Sequence, residues 1–323
     1  MNYSACLLRF KSGLHLGERE TWREGTGVIV HSDTLFSAFC HGYRLLYGQP
    51  ALVQLLESFL KGDPPFLLSS AFPFWDETFY LPIPRCQIPG SKKEKKIAYV
   101  GLKGWLRLIR GETLESLLAD SKSKVELLPR EGYPLNPWTV VDVPRVGLNR
   151  LTAHPDEAFF YFGEVWYHEG AGLYFLFKVN DEQQESRFHA VWRLLAHEGL
   201  GGDRTVGKGH FKPPEFQSIT LAGAENAEYL VSLSLYYPCP SEIDGLADGF
   251  YELVDRRGYI FSPNGQSLRR KQVRFFAEGS VFPILPARQG MIINVKPQAF
   301  KAHEVYRCGL VFGIPCRLPR GVQ

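Results

Sequence analysis

The sequence predicts an α+β protein made of two fused units, the first with its elements in β-α-β-β-α-β order and the second a degenerate copy of it. Three observations favour this class. Short apolar strands alternate with amphipathic helices over most of the 323 residues. A glycine-rich loop follows the second helix, and residues 223–323 repeat part of the pattern in a weaker form. This order is that of the ferredoxin-like fold, so we expect a first domain at residues 1–222 and a second, degenerate one at 223–323.

The first domain opens with a strand and a helix. The segment "ACLLRFK" is short and apolar and predicts a strand. In "HSDTLFSAFCHGYRLLYG" aromatic side chains recur on one helical face and Gly48 ends the helix. Ser32 or Asp33 can cap the start of this helix by accepting a backbone N–H bond. A second apolar helix, "ALVQLLESFL", follows directly.

The middle of the chain loses this regularity. Residues from about 70 to 155 are rich in Pro, Gly and Lys and contain one amphipathic piece, "GETLESLLADS". We interpret them as a long insertion in the first domain. After it, two aromatic and β-branched runs flank "HEGAG", which predicts a β-hairpin. The next helix is capped by Asp181 with Gln184 and stopped by Gly199, and a strand near "FQSITL" completes the unit.

The second unit is a worn copy of the first. The segment "YLVSLSLYY" alternates between apolar residues and serines and predicts a strand. The segment "IDGLADGFYELVDRRG" predicts a helix, and "VRFFAEGSVFPIL" and "VYRCGLVFGIPC" predict strands. The second helix of this copy is not visible in the sequence.

Composition narrows the class of protein. Hydrophobic residues make up 45% and charged residues 22%, which is ordinary for a globular protein, and a net charge of +3 alone does not indicate a polyanion partner. The six cysteines are scattered without a C-x-x-C pair, which favours reduced thiols over disulfides or a zinc site. No run of 18 apolar residues or signal-peptide core is present, so we expect a cytoplasmic protein without a membrane span or a metal.

The segment "EGLGGDRTVGKGHF" places five glycines around Arg204 and Lys208. It fails as a Walker phosphate loop because Gly209 stands where a magnesium-binding hydroxyl is needed, and because the loop follows a helix. It also fails as a dinucleotide fingerprint, since no helix opens after it. It remains either a loop whose backbone N–H groups approach a ligand, with cations suited to phosphate, or a tight connection whose charges face water.

This loop closely resembles the loop that repeat-associated (RAMP) proteins of CRISPR systems carry at the same place. The segments "HSDTLFSAF", "PRVGLNRLT", "RRGYIFS" with "LRRKQVRFFAEGSVF", and "CGLVFGIP" resemble one RAMP family, the fourth subunit of the type III-A (Csm) effector complex, in family order over nearly the whole chain. The resemblance implies two fused ferredoxin-like (RRM-like) domains in a non-catalytic subunit of antiviral defence without a cofactor. Such a subunit caps the 5′ handle of the guide RNA (crRNA), bridges the large polymerase-type subunit to a backbone RAMP subunit, and meets target RNA indirectly.

Charge segregation agrees with an RNA partner. Residues 85–110 hold eight basic residues and one acidic residue, and residues 256–274 hold six basic residues and no acidic one. For Arg145 the alternative to an RNA contact is a salt bridge to Asp142 or Asp156, and for Ser32 it is helix capping. The predicted RNA-binding residues are His31, Ser32, Arg145, Arg150, Gly199, Gly201, Gly202, Arg204, Thr205, Gly207, Lys208, Gly209, Arg269, Arg270 and Lys271.

Two other functions are compatible with parts of this sequence, a guide-processing endoribonuclease and a structural adaptor. Guide-processing endoribonucleases of the RAMP fold cut without metal, using a general acid and base that are often histidines. Here His31, His41 and His210 are the candidates, but no His–His or His–Lys spacing stands out. We therefore predict no catalytic residue. A structural adaptor without RNA contact is disfavoured by the segregated basic stretches.

Overall fold

The computed structural model describes residues 2–17, 27–92, 94–120, 125–129, 136–148, 151, 155–262, 268–285, 290–319 and 321. The helices are α1 Ser32–Leu60, α2 Leu102–Leu108, α3 Leu114–Ala119 and α4 Glu182–Glu198, with 3₁₀ turns at Glu94–Lys96, Arg204–Val206 and Pro240–Leu246. The strands up to residue 222 are β1 Asn2–Leu8, β2 Phe66–Leu68, β3 Phe72–Trp75, β4 Thr78–Pro82, β5 Ile97–Gly101, β6 Leu127–Pro129, β7 Trp138–Leu148, β8 Pro155–Tyr167, β9 Ala171–Val179 and β10 Glu215–Thr220. The later strands are β11 Tyr229–Ser232, β12 Leu253–Arg256, β13 Val273–Phe276, β14 Val281–Pro283, β15 Ile292–Asn294, β16 Tyr306–Cys308 and β17 Gly313–Cys316.

One large antiparallel sheet organises the molecule. Its strand order is β10-β1-β9-β3-β4-β5-β6, with β2 also paired to β9. Side chains alternate between the two faces of a strand, and β1 and β9 are buried on both. Cys6 and Phe175 face a core formed with α1 and α4. Tyr3 and Leu176 face a second core shared with β11 and β17. The second half of the chain also reaches the first core, through Ile292, Cys308 and Leu310.

The predicted first helix is confirmed, and so is its break. Gly48 has φ +83° and Pro50 follows it, so the segment is two helical pieces joined at a kink. The predicted cap is wrong, because His31 occupies the N-cap position and its side chain makes no cap bond; the Ser70 hydroxyl accepts the N–H of Ser32 at 2.8 Å. Ser32 and Asp33 bond to other parts of the protein instead. The cap of α4 is confirmed, since the Asp181 side chain accepts the N–H of Gln184 at 2.8 Å.

The predicted hairpin around "HEGAG" is wrong. β8 pairs with β7 in a separate two-stranded sheet, with Asp142 opposite Gly163, while β9 lies inside the large sheet. The two strands are joined by a tight turn in which the Ala171 N–H donates to the His168 carbonyl. β8 cannot pair with β9 because both edges of β9 are already hydrogen-bonded. β1 pairs with one edge, and β2 and β3 pair with the other. Part of the expected insertion is also sheet, because β3 to β6 extend it.

The second half differs from its sequence pattern in two places. The predicted helix over residues 243–258 is wrong: the segment is a 3₁₀ turn ending at Leu246, followed by β12, which pairs with β13. Ser232 and Ser234 are buried, as are the apolar residues Val231, Leu233 and Leu235 that alternate with them. The Ser234 hydroxyl accepts the N–H of Phe312 and donates to the Leu310 carbonyl, so it joins neighbouring segments across the second core. All six cysteines are free thiols, as expected.

Candidate nucleic-acid interface

A cleft of about 980 Å³ opens between α1, the glycine-rich loop and the second half of the chain. We name it the arginine cleft, because six arginines line it against two glutamates. The arginines come from α1, the loop, residues 256–270 and β16, which are distant in sequence. They are Arg44, Arg204, Arg256, Arg257, Arg270 and Arg307, and the glutamates are Glu57 and Glu304.

Gly201 and Gly209 of the loop are required because the protein's own backbone approaches them closely. The N–H of Gly202 donates to the His15 carbonyl at 2.9 Å, and the N–H of Gly209 donates to the Gly13 carbonyl at 2.9 Å. A Cβ at Gly201 would lie 2.4 Å from the His15 oxygen, and one at Gly209 would lie 1.9 Å from the Leu200 oxygen. The atoms that approach these glycines closely are therefore backbone atoms of residues 13–15 and of the loop itself.

Only part of the loop faces the cleft. Gly199, Gly201, Gly202 and Arg204 line it, whereas Thr205, Gly207, Lys208 and Gly209 belong to the loop but lie outside the cleft lining. Among the described residues, no backbone carbonyl accepts the N–H groups of Gly201, Asp203, Arg204 and Thr205. This end of the loop can therefore still offer backbone donors to an anion.

Arg204 is held over an aromatic ring. Its guanidinium lies 4.6 Å from the centroid of the Phe261 ring, and the His41 and Phe261 ring centroids lie 4.9 Å apart with the two ring planes nearly perpendicular. Burial lowers the pKa of Arg204, and nearby Glu198 opposes that shift. Burial, Arg204 and Arg44 lower the pKa of His41, so its imidazole is neutral at pH 7.

Lys208 and Arg145 surround a buried carboxylate. Glu164 is 1% exposed, and its Oε2 accepts from Lys208 Nζ at 2.8 Å. Arg145 Nη2 lies 3.8 Å from Glu164 Oε1 and 3.5 Å from Asp203 Oδ2. Both predicted RNA contacts thus neutralise carboxylates. Among the described side chains the salt-bridge partners of Arg145 are Glu164 and Asp203 and not the expected Asp142, while the side chain of Asp156 lies outside the described part. Arg150 lies outside the described residues.

The start of α1 is tied to the second half of the chain. His31 lines the cleft, and its Nδ1 lies 2.7 Å from Glu278 Oε1, which also accepts from the Ser70 hydroxyl. Burial alone would raise the pKa of Glu278, but the bonds to His31 and Ser70 lower it to about 2. The Ser32 hydroxyl accepts the N–H of Leu235 at 3.0 Å and is buried, so the structure uses it for packing.

Asp33 holds two of the cleft arginines. Arg256 donates to both of its carboxylate oxygens, at 3.2 and 3.0 Å, and Arg307 donates to Oδ2. Asp33 is 0% exposed. Sequence reasoning missed Arg256 and Arg307 as partners of Asp33, because Arg307 lies 274 residues further along the chain and no local pattern joins them.

Of the predicted RNA-binding residues Arg269, Arg270 and Lys271, only Arg270 lines the cleft. Its Nε is buried without a hydrogen-bond partner among the described residues. Burial and the neighbouring Arg256 lower the pKa of Arg270 to about 10. Arg269 and Lys271 are exposed, and Arg269 lies 5.5 Å from the Tyr259 ring centroid. In the described part of the chain no group of three or more His, Cys, Asp or Glu could hold a metal ion.

Comparison with known proteins identifies the family. The CRISPR system Cms protein Csm4 of Thermococcus onnurineus (strain NA1) is 30% identical over 302 residues, which cover 91% of this chain and 94% of that protein. The chain belongs to the Csm4 family. A Csm4 protein of Methanocaldococcus jannaschii is 24% identical over 321 residues, covering 84% of this chain and 83% of its own length. The family model of the CRISPR Csm4 C-terminal domain matches residues 225–316.

Solved structures share the fold. A chain in the crystal structure of a Csm1–Csm4 cassette in complex with cA4 is 24% identical, with a TM-score of 0.62 over 99% of this chain and 100% of that chain. A chain in a Csm3–Csm4 subcomplex of the type III-A CRISPR-Cas interference complex is 19% identical, with a TM-score of 0.65 over 98% of this chain and 100% of its own. The mixed α/β architecture with antiparallel sheets is therefore shared with a chain of each of these two assemblies. In the described residues no helix has the length and hydrophobicity to cross a membrane.

Proposed function

We propose that this chain is a non-catalytic RNA-binding subunit of the type III-A CRISPR effector (Csm) complex, and that its arginine cleft caps the 5′ handle of the crRNA. The observation that carries the proposal is the convergence of six arginines against two glutamates in one cleft of about 980 Å³. Guanidinium groups bind phosphate oxygens through paired hydrogen bonds. A single strand can lay its backbone along such a groove.

The partners in this proposal are the large polymerase-type subunit and a backbone RAMP subunit, bridged by this chain in the cytoplasm. Family membership and the fold shared with chains of Csm1–Csm4 and Csm3–Csm4 assemblies support it. Target RNA would be met only indirectly, through the assembled complex.

We also propose two ferredoxin-like units, at residues 1–222 and 223–323. The neighbouring strands β10-β1-β9-β3, with α1 and α4 on one face, follow the order of that fold when β2 and β3 together serve as its second strand. The match of the C-terminal family model to residues 225–316 supports the boundary.

Within the predicted set we assign the phosphate contacts to Arg204 and Arg270. Arg204 has a guanidinium fixed over a ring, and Arg270 has a buried nitrogen without an acceptor among the described residues. The open N–H groups at Gly201 and Arg204 would add backbone donors. Lys208 is assigned to the buried Glu164 and to folding.

The endoribonuclease alternative is less well supported. Burial and two arginines keep His41 neutral, which leaves it a poor general acid at pH 7. The His210 carbonyl accepts the N–H of Lys11, and the residue is not part of the cleft lining. His31 lines the cleft and pairs with the buried Glu278, so it is the residue to substitute in a cleavage assay.

A binding titration with the full chain tests the proposal. Labelled guide RNA, with and without its 5′ handle, is titrated at two salt concentrations with wild type and with Arg204→Ala/Arg270→Ala. Each phosphate contact contributes about 0.7–0.9 to the slope of log K against log salt, so the double variant should lower that slope by about 1.4–1.8. Arg274→Ala, an exposed arginine paired with Asp255 outside the cleft, is the matched control.

Intact RNA and handle-dependent binding would support the subunit function. The same samples, incubated with and without divalent metal, are examined for cut products. Specific cleavage that disappears in His31→Ala would replace the proposal with a processing nuclease. Equal binding of RNA with and without the handle would refute the capping role.

A further inference from the structure

We propose that Tyr259 and Phe261 form a stacking platform for two unpaired bases of the RNA strand in the arginine cleft. This inference rests on the proposed function and adds the nucleobases to a site that was so far argued from phosphates alone. It names two residues that the sequence analysis did not select.

The backbone fixes both rings on the same side. Residues two apart in an extended segment point the same way. Ile260, between them, is 4% exposed and packs with Val295 and Phe300 in the core of the second half. Tyr259 and Phe261 must therefore point outward, and both line the arginine cleft.

Both rings present a large open surface. Phe261 is 59% exposed and Tyr259 is 53% exposed. Aromatic faces of this kind in a positively charged groove are typical of proteins that bind single-stranded nucleic acid, because every base has a π-face that can stack. RNA recognition generally uses unpaired, splayed bases in this way.

A guanidinium accompanies each ring. Arg204 lies 4.6 Å from the Phe261 centroid and Arg269 lies 5.5 Å from the Tyr259 centroid. The edge of His41 further fixes the Phe261 ring at an interplanar angle of 88°. A base stacked on either ring would thus have a cation beside it for its own phosphate.

Arg270 lies beside the platform, because its backbone N–H donates to the Gly258 carbonyl at 2.8 Å and its side chain lines the same cleft. Its buried Nε has no acceptor among the described residues, and it shares the cleft with the like-charged Arg256. An unpaired buried donor next to a second cation favours an anionic acceptor at that point. A phosphate between two stacked nucleotides has the required charge and oxygen atoms.

The test combines substitutions in the protein with abasic nucleotides in the RNA. Guide RNAs carrying one abasic nucleotide at each handle position in turn are titrated with the full wild-type chain, Phe261→Leu and Tyr259→Leu. Tyr251→Leu is the control, because Tyr251 is 51% exposed and lies outside the cleft. Stacking of one base predicts a loss of roughly tenfold in affinity for intact RNA with Phe261→Leu, and no loss with the control.

The decisive result is non-additivity at one position for each ring. An abasic nucleotide at the stacked position should weaken wild type as much as Phe261→Leu does, with little further loss when the two changes are combined. With the wild-type protein, 2-aminopurine at that position should lose fluorescence on binding. This measurement does not depend on the folding of any variant.

Three outcomes separate the proposals. Handle binding by wild type with unchanged affinity of Phe261→Leu and Tyr259→Leu would overturn the stacking platform and leave the proposed function standing. Additive losses at every abasic position would do the same. Absence of salt-dependent binding by wild type would overturn the proposed function and this inference with it.

Discussion

Replacing Asp33 with alanine should lower the free energy of unfolding more than any surface substitution, because it removes the carboxylate that two arginines share. Asp33 is 0% exposed and accepts bonds from Arg256 and Arg307, which are themselves largely buried. Removing one partner of a buried ion pair leaves uncompensated charge in the interior and destabilises by about 3–5 kcal/mol. We expect Asp33→Ala to lower the free energy of unfolding by that amount.

Equilibrium urea unfolding, followed by far-UV circular dichroism, measures this loss. Asp255→Ala removes an exposed carboxylate that pairs with Arg274, and it should leave the unfolding free energy close to that of wild type. Adding Arg307→Met to Asp33→Ala should recover part of the loss, since the cost comes from unpaired charge. A loss below about 1 kcal/mol for Asp33→Ala, or no recovery in the double variant, would refute this account of the ion cluster.

Three further outcomes are expected. Gly209→Ala, whose Cβ would meet backbone at 1.9 Å with φ at +70°, should destabilise by about 3 kcal/mol, whereas Gly207→Ala, at φ +85° with open space, should cost about 1 kcal/mol; thermal unfolding compares them. The pKa of Glu278 is depressed from 4.5 to about 2, so its contribution is complete above about pH 5 and is lost as pH falls toward 2; unfolding of Glu278→Gln should depend less on pH in that window. Lys208→Ala should leave buried Glu164 with a weaker partner and lower the unfolding free energy by about 1–3 kcal/mol, and it should affect RNA affinity little.

Local sequence patterns predicted the elements whose ends are set locally. Gly48 and Pro50 mark the kink in α1, and the Asp181 cap and Gly199 bound α4. Strand pairing could not be predicted in the same way. β8 has the aromatic and β-branched run of a hairpin strand, but its partner depends on which edges of β9 are already bonded by β1, β2 and β3.

The sequence predicted which types of residue form the site better than it predicted how they are arranged. The basic run over residues 256–274 does supply Arg256 and Arg270 to the cleft, but the burial of Ile260 and the pairing with Asp33 decide which side chains face inward. The glycine-rich loop was predicted either to approach a ligand or to be a tight connection, and the ligand contact stays a prediction. Its closest neighbours are nevertheless backbone atoms of residues 13–15 and of the loop itself, which no motif in the sequence records.

Photo-cross-linking locates the RNA most directly. Guide RNA with 4-thiouridine at single handle positions is bound to the full chain, irradiated and digested, and the cross-linked peptides are mapped by mass spectrometry. If the arginine cleft holds the handle, the cross-links fall at residues 199–204 and 256–261. Cross-links concentrated in the other basic stretch, residues 85–110, would contradict the central claim.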